Sequence, residues 1–178
     1  MSPAFKKVAE ENFPGASIVF DRFHLAKMLN EAPDYARKSE VTSQPILKSS
    51  RMALLKKEKN LTIAQKEKLE TIKLKDTELK TARAWRMRNT FGEIYKAQGQ
   101  EEFEQLLKEW IGWAGRSKIE PMKEFGKTVK DHWEGIVNWM KFKVSNGILE
   151  GLNSIFQAAK ARGYKTMDTA KTMIYLLT

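Results

Sequence analysis

The run Ala16 to Phe20, ASIVF, is the one stretch of this chain that reads as a buried β-strand, and nearly everything after Arg22 has helical period. It follows Pro14-Gly15, which stops a helix that Ser2-Pro3 opens and that runs to about Asn12. A buried apolar strand has to pair its backbone N–H and C=O groups and is usually central in a sheet. No second strand candidate is present to pair with it. Three outcomes satisfy that constraint. The segment is not a strand, or it pairs with a copy of itself, or the chain is a piece of a larger α/β protein whose other strands precede Met1. A helix–strand–helix opening with no earlier strand favours the third.

The helical remainder is read from its apolar spacing and its caps. Phe103, Leu106, Leu107 and Trp110 fall at i, i+3, i+4 and i+7, and Ala84, Met87, Phe91 and Ile94 repeat that pattern. Thr62 with Gln65 predicts a capping box opening a helix to about Lys75, and Asp76 is placed to cap the long helix that follows. Further helices are expected over Arg22 to Lys38, kinked by Pro33, and over Glu101 to Ala114, Pro121 to Lys141, Asn146 to Ala161 and Met167 to Leu177. At helical spacing, Trp85, Trp110, Trp113, Trp133 and Trp139 read as core.

With 178 residues, 42% of them hydrophobic, the chain has enough large apolar surface to fold. No cysteine is present, which excludes a disulfide scaffold, thiolate zinc and a Cys nucleophile. Lys6, Lys7, Glu10 and Glu11 interrupt the N-terminus where a signal peptide needs an apolar run, and no stretch reaches the length of a membrane span. The expectation is a cytoplasmic, nucleoid-associated protein without a membrane partner. The net charge of +10 favours polyanions, nucleic acid first, although lysine-rich helical faces are also simply solvated. The same two readings apply to Lys48–Lys75, where Lys56, Lys57 and Lys59 head a lysine-rich run that tracks a phosphate backbone or keeps an exposed helical pair in solution.

Chemistry is concentrated in two places. In SNGILEGLNS a single carboxylate, Glu150, stands among amides: Asn146, Glu150, Asn153 and Gln157 form one stripe of a helix whose other face is Ile148, Leu149, Leu152, Ile155 and Phe156. A solvated stripe would mix Lys with Glu, so this face either looks into a polar site or packs on another polar surface. In IVFDRFH, Asp21 ends the strand candidate and His24 lies in the first helical turn. Strand ends collect functional side chains, yet an Asp at that place is also an ordinary N-cap and His24 an ordinary packing residue. His132 reads as structural. No phosphate loop, HExxH, zinc spacing or nucleophile elbow occurs.

Taken in order, FPGASIVFDRFHLAKMLNEA, LKSSRMALLK, NLT and NGILEGLNSIFQAAKARGYKT resemble the C-terminal half of bacterial insertion-sequence transposases of the ISL-three group. The likeness is collinear over nearly the whole chain. It implies a mainly α fragment carrying the last strand, a helical insertion and the Glu helix of an RNase H-like catalytic domain. Residues 1–40 would end the RNase H-like core, 41–118 would be the helical insertion, and 119–178 the C-terminal helices. The run QAAKARGY is about two residues shorter than the resemblance leads one to expect, and Pro33 stands where a helical residue is expected.

The resemblance further implies that Glu150 is the Glu of a triad of two Asp and one Glu holding Mg²⁺ or Mn²⁺ in the complete enzyme. The two aspartates would lie upstream of Met1; a rival alignment makes Asp21 the second. Asn146 and Asn153 would position Glu150, and His24 would border the same site. Lys160 and Arg162, like Lys56, Lys57 and Lys59, would touch DNA at transposon ends. The expected partners are DNA and either a second copy or the missing N-terminal half. A non-catalytic helical DNA-binding or regulatory remnant of a transposase is the alternative.

Overall fold

The computed structural model describes residues 15–75 and 77–143, together with residues 7, 8, 11–13, 151, 154, 157, 158 and 172. It divides into two compact units, Met1–Lys143 and Val144–Thr178. In the second unit Gly151, Ser154, Gln157, Ala158 and Thr172 are described, and all are helical. The rest of the expected helices at Asn146 to Ala161 and Met167 to Leu177 lies outside the described residues.

In the first unit Lys7, Val8, Glu11 and Asn12 are helical, as expected of an opening helix. The helices that follow are α1 (Arg22–Asn30), α2 (Ala32–Glu40), α3 (Arg51–Leu55), α4 (Ile63–Lys73), α5 (Lys80–Ile94), α6 (Gln100–Arg116), α7 (Glu120–Asp131) and α8 (Trp133–Phe142). Short 3-10 turns at Pro45–Leu47 and Glu58–Asn60 flank α3. The fold is mainly helical, and among the described residues there is no strand.

Ala16–Phe20 therefore corrects the strand expectation. With no neighbouring strand among the described residues, the segment lies against α8. The Phe20 N–H donates to the Gly135 carbonyl at 2.8 Å, and Asn138 Nδ2 donates to the Ile18 carbonyl at 3.0 Å. The Phe20 ring lies over Gly135 so closely that a Cβ there would be 2.3 Å from Phe20 Cδ2. Its other neighbour is His132, with ring centroids 4.9 Å apart. The apolar residues of ASIVF are satisfied by a helix instead of a sheet.

Two long helices expected from periodicity are each broken in two. Pro33 sits in the first turn of α2, where its missing N–H is harmless, and Glu31 separates α1 from α2. At His132, φ −120° and ψ 24° leave the helical region, so α7 ends and α8 begins in a new direction. The capping box is as read: Gln65 N–H donates to Thr62 Oγ1 at 3.3 Å and Thr62 N–H to Gln65 Oε1 at 3.2 Å. The helix after it differs. Asp76 lies outside the described residues, α5 begins at Lys80, and its free N–H groups are met by Glu40 at the end of α2. Glu40 accepts from Lys80 N at 2.8 Å, Thr81 N at 2.9 Å and Thr81 Oγ1 at 2.8 Å. A carboxylate at a helix N-terminus satisfies orphan donors and complements the macrodipole.

Two apolar clusters form the core. The larger gathers Leu25 and Leu29 of α1, Met87 and Phe91 of α5, Phe103 and Trp110 of α6, Met122 and Phe125 of α7, and Ile136 of α8. Phe91 is edge-on to Trp110 (5.0 Å) and to Phe125 (4.9 Å), an arrangement that adds about 0.5–1.5 kcal/mol per pair beyond area burial. The Trp110 indole N–H donates to the Met87 carbonyl at 2.8 Å. The smaller cluster packs Leu47, Leu54, Leu61, Leu69, Ile72 and Leu79 against Ala82 and Trp85 of α5. Where α6 meets α7, Gly126 lets the helices approach, since a Cβ there would lie 3.3 Å from Ala114 Cβ.

One buried acid organises the junction of α2 and α3. Asp34 pairs with Arg37 Nε at 2.6 Å, Arg51 Nε at 3.3 Å and Lys38 Nζ at 3.5 Å. Burial pushes its carboxyl up, but the hydrogen bond and charge of Arg37, helped by Lys38, outweigh this and hold it below the usual carboxylate value. A depressed folded pKa means that the stabilisation is complete above the ordinary value of 3.8 and is lost as pH falls through the folded value. Asp34→Asn should lose about 1–3 kcal/mol at neutral pH by urea denaturation. The gap between the two proteins should narrow as pH falls below the ordinary value of 3.8 and close once the folded carboxyl is protonated. A gap that persists unchanged in acid would rule the charge out as its source.

Gly135→Ala should likewise destabilise, by roughly 1–3 kcal/mol, because the added methyl meets the Phe20 ring. Hydrogen exchange at the Phe20 amide should accelerate. In the double variant with Phe20→Ala the two losses should sum to more than the observed one; strict additivity would show that the ring does not lie on Gly135.

Candidate functional site

The residues singled out from the sequence fall in three groups. Glu150, Asn146, Asn153, Lys160 and Arg162 lie outside the described residues, so their surroundings are not described. Asp21 and His24 lie at the N-terminus of α1. Lys56, Lys57 and Lys59 lie between α3 and α4.

Asp21 is buried, with 7% of its surface exposed, and stands at the N-cap of α1 with φ −66° and ψ 124°. Its Oδ1 accepts the Phe23 N–H at 2.7 Å, and its carbonyl accepts from His24 N at 3.1 Å. The capping reading of Asp21 thus holds in the structure. His24 is exposed in the first turn. Beside them the Arg22 guanidinium lies 5.0 Å from the Phe23 ring centroid and 5.5 Å from that of Trp139. Trp139 in turn is edge-on to Tyr95 at 4.8 Å. Burial raises the Tyr95 phenol far above its ordinary value; Arg22 opposes this and Asp21 adds to it, so the ring stays neutral. Its hydroxyl is buried with no hydrogen-bond partner among the described residues.

This corner brings together one carboxylate, one guanidinium and one phenol, with the exposed His24 in the same helical turn. Hard divalent cations are held by several oxygen ligands. Among the described residues no group of three or more His, Cys, Asp or Glu is placed to hold a metal ion, and Asp21 already spends one oxygen on its helix. The described residues alone do not make a divalent-metal site.

The lysine-rich run divides by structure. Lys68 donates to the Lys48 carbonyl. Lys73 bridges Glu70 (2.7 Å) and Glu58 (3.2 Å) and sits 4.9 Å from the Trp85 ring centroid. The Glu70 hydrogen bond outweighs partial burial and raises the Lys73 ammonium above its ordinary value. Lys75 pairs with Glu78 at 3.0 Å. These three are tied into the fold. Lys57, Lys59 and Lys66 are exposed and Lys56 half-buried, and none forms an ion pair among the described residues.

Sequence reasoning missed two features. One is Arg88, half-buried with its guanidinium donating to the Leu54 carbonyl (2.7 Å) and to Asn89 Oδ1 (2.8 and 3.1 Å), and lowered in pKa by burial. Nothing local in the sequence marks it, because Leu54 is distant along the chain. The other is a cleft of about 560 Å³ between Ala16–Phe20 and the α7–α8 corner, with Ser17, His132, Glu134 and Asn138 among its lining. It exists only because the segment is not a strand.

A family model described as a transposase, of the ISL-three type, matches residues 1–174. The chain belongs to this transposase family. It is 26% identical over 176 residues to the transposase for insertion sequence element IS1001 of Bordetella parapertussis, covering 94% of this chain and 43% of that protein. It is 32% identical over 108 residues to the transposase for insertion sequence element IS1557 of Mycobacterium tuberculosis, covering 61% of this chain and 24% of that protein. The chain thus spans less than half the length of these transposases. No solved structure matches it significantly. No helix among the described residues is long and apolar enough to cross a membrane.

If Asp21 serves this transposase chain as a helix cap, Asp21→Asn, which keeps an acceptor oxygen, should leave stability nearly unchanged, whereas Asp21→Ala should cost about 0.5–2 kcal/mol in a denaturant melt. Equal losses for both would show that the charge, not the cap, is what the site requires.

Proposed function

We propose that this chain is part of a DDE-type transposase that acts in DNA transposition, with Glu150 as its contribution to the metal site. The observation that carries the reading is the transposase match over residues 1–174, which spans the SNGILEGLNS motif in which Glu150 is the single acid. The 43% coverage of the IS1001 transposase supports a second part of the reading: both catalytic aspartates come from a segment outside these residues, and the chain is silent by itself. One carboxylate cannot fix hard cations against water.

In the complete enzyme Mg²⁺ or Mn²⁺ would activate water or a 3′-hydroxyl and stabilise the phosphorus under attack. Glu150 would hold that metal, while Asn146 and Asn153 on the same helical stripe would orient the carboxylate. Asp21 serves as a cap, and His24 borders the same corner. Lys56, Lys57 and Lys59, together with Lys160 and Arg162, would neutralise phosphates at the transposon ends without reading sequence. The regions 1–40, 41–118 and 119–178 would be the end of an RNase H-like core, a helical insertion and the Glu-bearing helices. A second copy or an N-terminal transposase half is the partner this assignment requires.

Reconstitution tests it. Co-expression with a transposase N-terminal segment carrying both aspartates should produce metal-dependent nicking of transposon-end DNA, and Glu150→Gln should abolish the nicking with the fold intact by circular dichroism. Magnesium-dependent cleavage by residues 1–178 alone that survives Glu150→Gln, once contaminating nuclease is removed, would show that the active site lies elsewhere. Reconstituted protein that binds DNA but never cuts would favour the non-catalytic remnant.

A further inference from the structure

The cations on α6 and α7 are arranged differently from those of the lysine-rich run. On α7, Lys123, Lys127 and Lys130 fall at i, i+4 and i+7, one exposed stripe about 10 Å long at a rise of about 1.5 Å per residue. Lys130 lines a cleft of about 450 Å³ whose other lining residues are Lys108, Ile111 and Gly112 of α6 and Trp133 of α8. No acid is among its described lining residues. Gly112 leaves the α6 wall without a side chain of its own, and the Arg116 guanidinium folds back to 3.4 Å from the place a Cβ would take. Lys118 follows in the corner between the helices, held at φ +57°. The Lys108 ammonium sits 5.7 Å from the Trp133 ring centroid.

Exposed acids share these helices, Glu109, Glu124, Asp131 and Glu134 among them, so the surface is mixed in charge and its cations are distinguished by their place at the cleft. Lys108 meets Glu104 at 4.0 Å and Lys123 meets Glu120 at 3.1 Å. Arg116, Lys118, Lys127 and Lys130 form no ion pair among the described residues. A cleft with Lys108 on one wall, Lys130 on the other and no acid among its described lining residues fits a chain of closely spaced anions that is narrow in cross-section.

We infer that the α6–α7 cleft is a second phosphate-binding surface, one that holds a single strand of a DNA backbone between Lys108 on one wall and Lys130 on the other, with Arg116 and Lys127 exposed on the same two helices. The inference rests on the DNA reading above and adds to it a surface that the sequence did not suggest. One strand of B-DNA carries a phosphate about every 3.4 Å of helix axis, so a 10 Å stripe meets about three of them. The contacts carry no sequence information, because they reach no base edge.

The test is fluorescence anisotropy of the full chain with a labelled short duplex of mixed sequence, titrated with salt. Lys108→Gln/Lys127→Gln/Lys130→Gln is compared with Lys27→Gln/Lys80→Gln/Lys143→Gln, which removes the same charge from exposed lysines elsewhere. The cleft variant should lower the slope of log affinity against log salt by about 2–3, at about 0.9 per lost phosphate contact, and weaken binding at least tenfold at about 0.1 M salt. The control variant should fall well short of that. Equal losses in the two variants, or an unchanged slope in the cleft variant while the unmodified chain binds, would overturn the cleft and leave the DNA reading standing. No binding by the unmodified chain at about 50 mM salt would overturn both. Polyglutamate displacing the cleft-dependent binding as well as unlabelled DNA does, at equal charge, would show that the surface takes an acidic protein instead.

Discussion

Helix α5 belongs to both cores, and the first unit depends on that sharing. Its first half offers Ala82 and Trp85 to the cluster around α3 and α4, and the rest offers Ala84, Met87, Phe91 and Ile94 to the cluster of α1, α2, α6, α7 and α8. A helix buried on so much of its circumference cannot shift in response to one layer without straining the other, since interiors are packed as densely as organic crystals. Three polar ties fix it along its length. Glu40 meets its start, the Arg88 guanidinium reaches the Leu54 carbonyl, and the Met87 carbonyl takes the Trp110 indole proton.

Local rules made much of this legible. The Thr62–Gln65 capping box, Asp21 as an N-cap, and Trp85, Trp110 and Trp139 as core follow from spacing and side-chain chemistry, because the interactions concerned span a few residues or one helical face. What escaped is non-local. The partner of the α5 N-terminus is Glu40, about forty positions away, and no pattern within α5 points to it. ASIVF has strand composition, yet composition states only that the segment wants apolar cover. Gly135 and Asn138, more than a hundred residues on, decide that the cover is helical. The break at His132 has no proline or glycine to announce it and goes with the Phe20 ring that packs beside it.

For the site, residue chemistry was readable and assembly was not. An acid isolated among amides marks Glu150 as unusual in a chain where 30% of residues are charged, but its partners are a property of folded space. The lysines show the same division from the other side. By composition the Lys48–Lys75 run allowed two readings, a phosphate-tracking face or an exposed helical pair kept in solution. In the fold Lys68, Lys73 and Lys75 are engaged internally, while Lys123, Lys127 and Lys130 share one exposed face of α7 and Lys130 lines an open cleft.

The tie between Glu40 and Thr81 has a topological meaning. It brings the two ends of residues 41–79 together, so that this excursion leaves and re-enters the fold at nearly one point. Most of its apolar side chains pack on one another, with Ala82 and Trp85 as their floor. A segment with adjoining ends and a core largely its own can lengthen, shorten or be cut by a protease with little change in the loop-closure entropy of the rest.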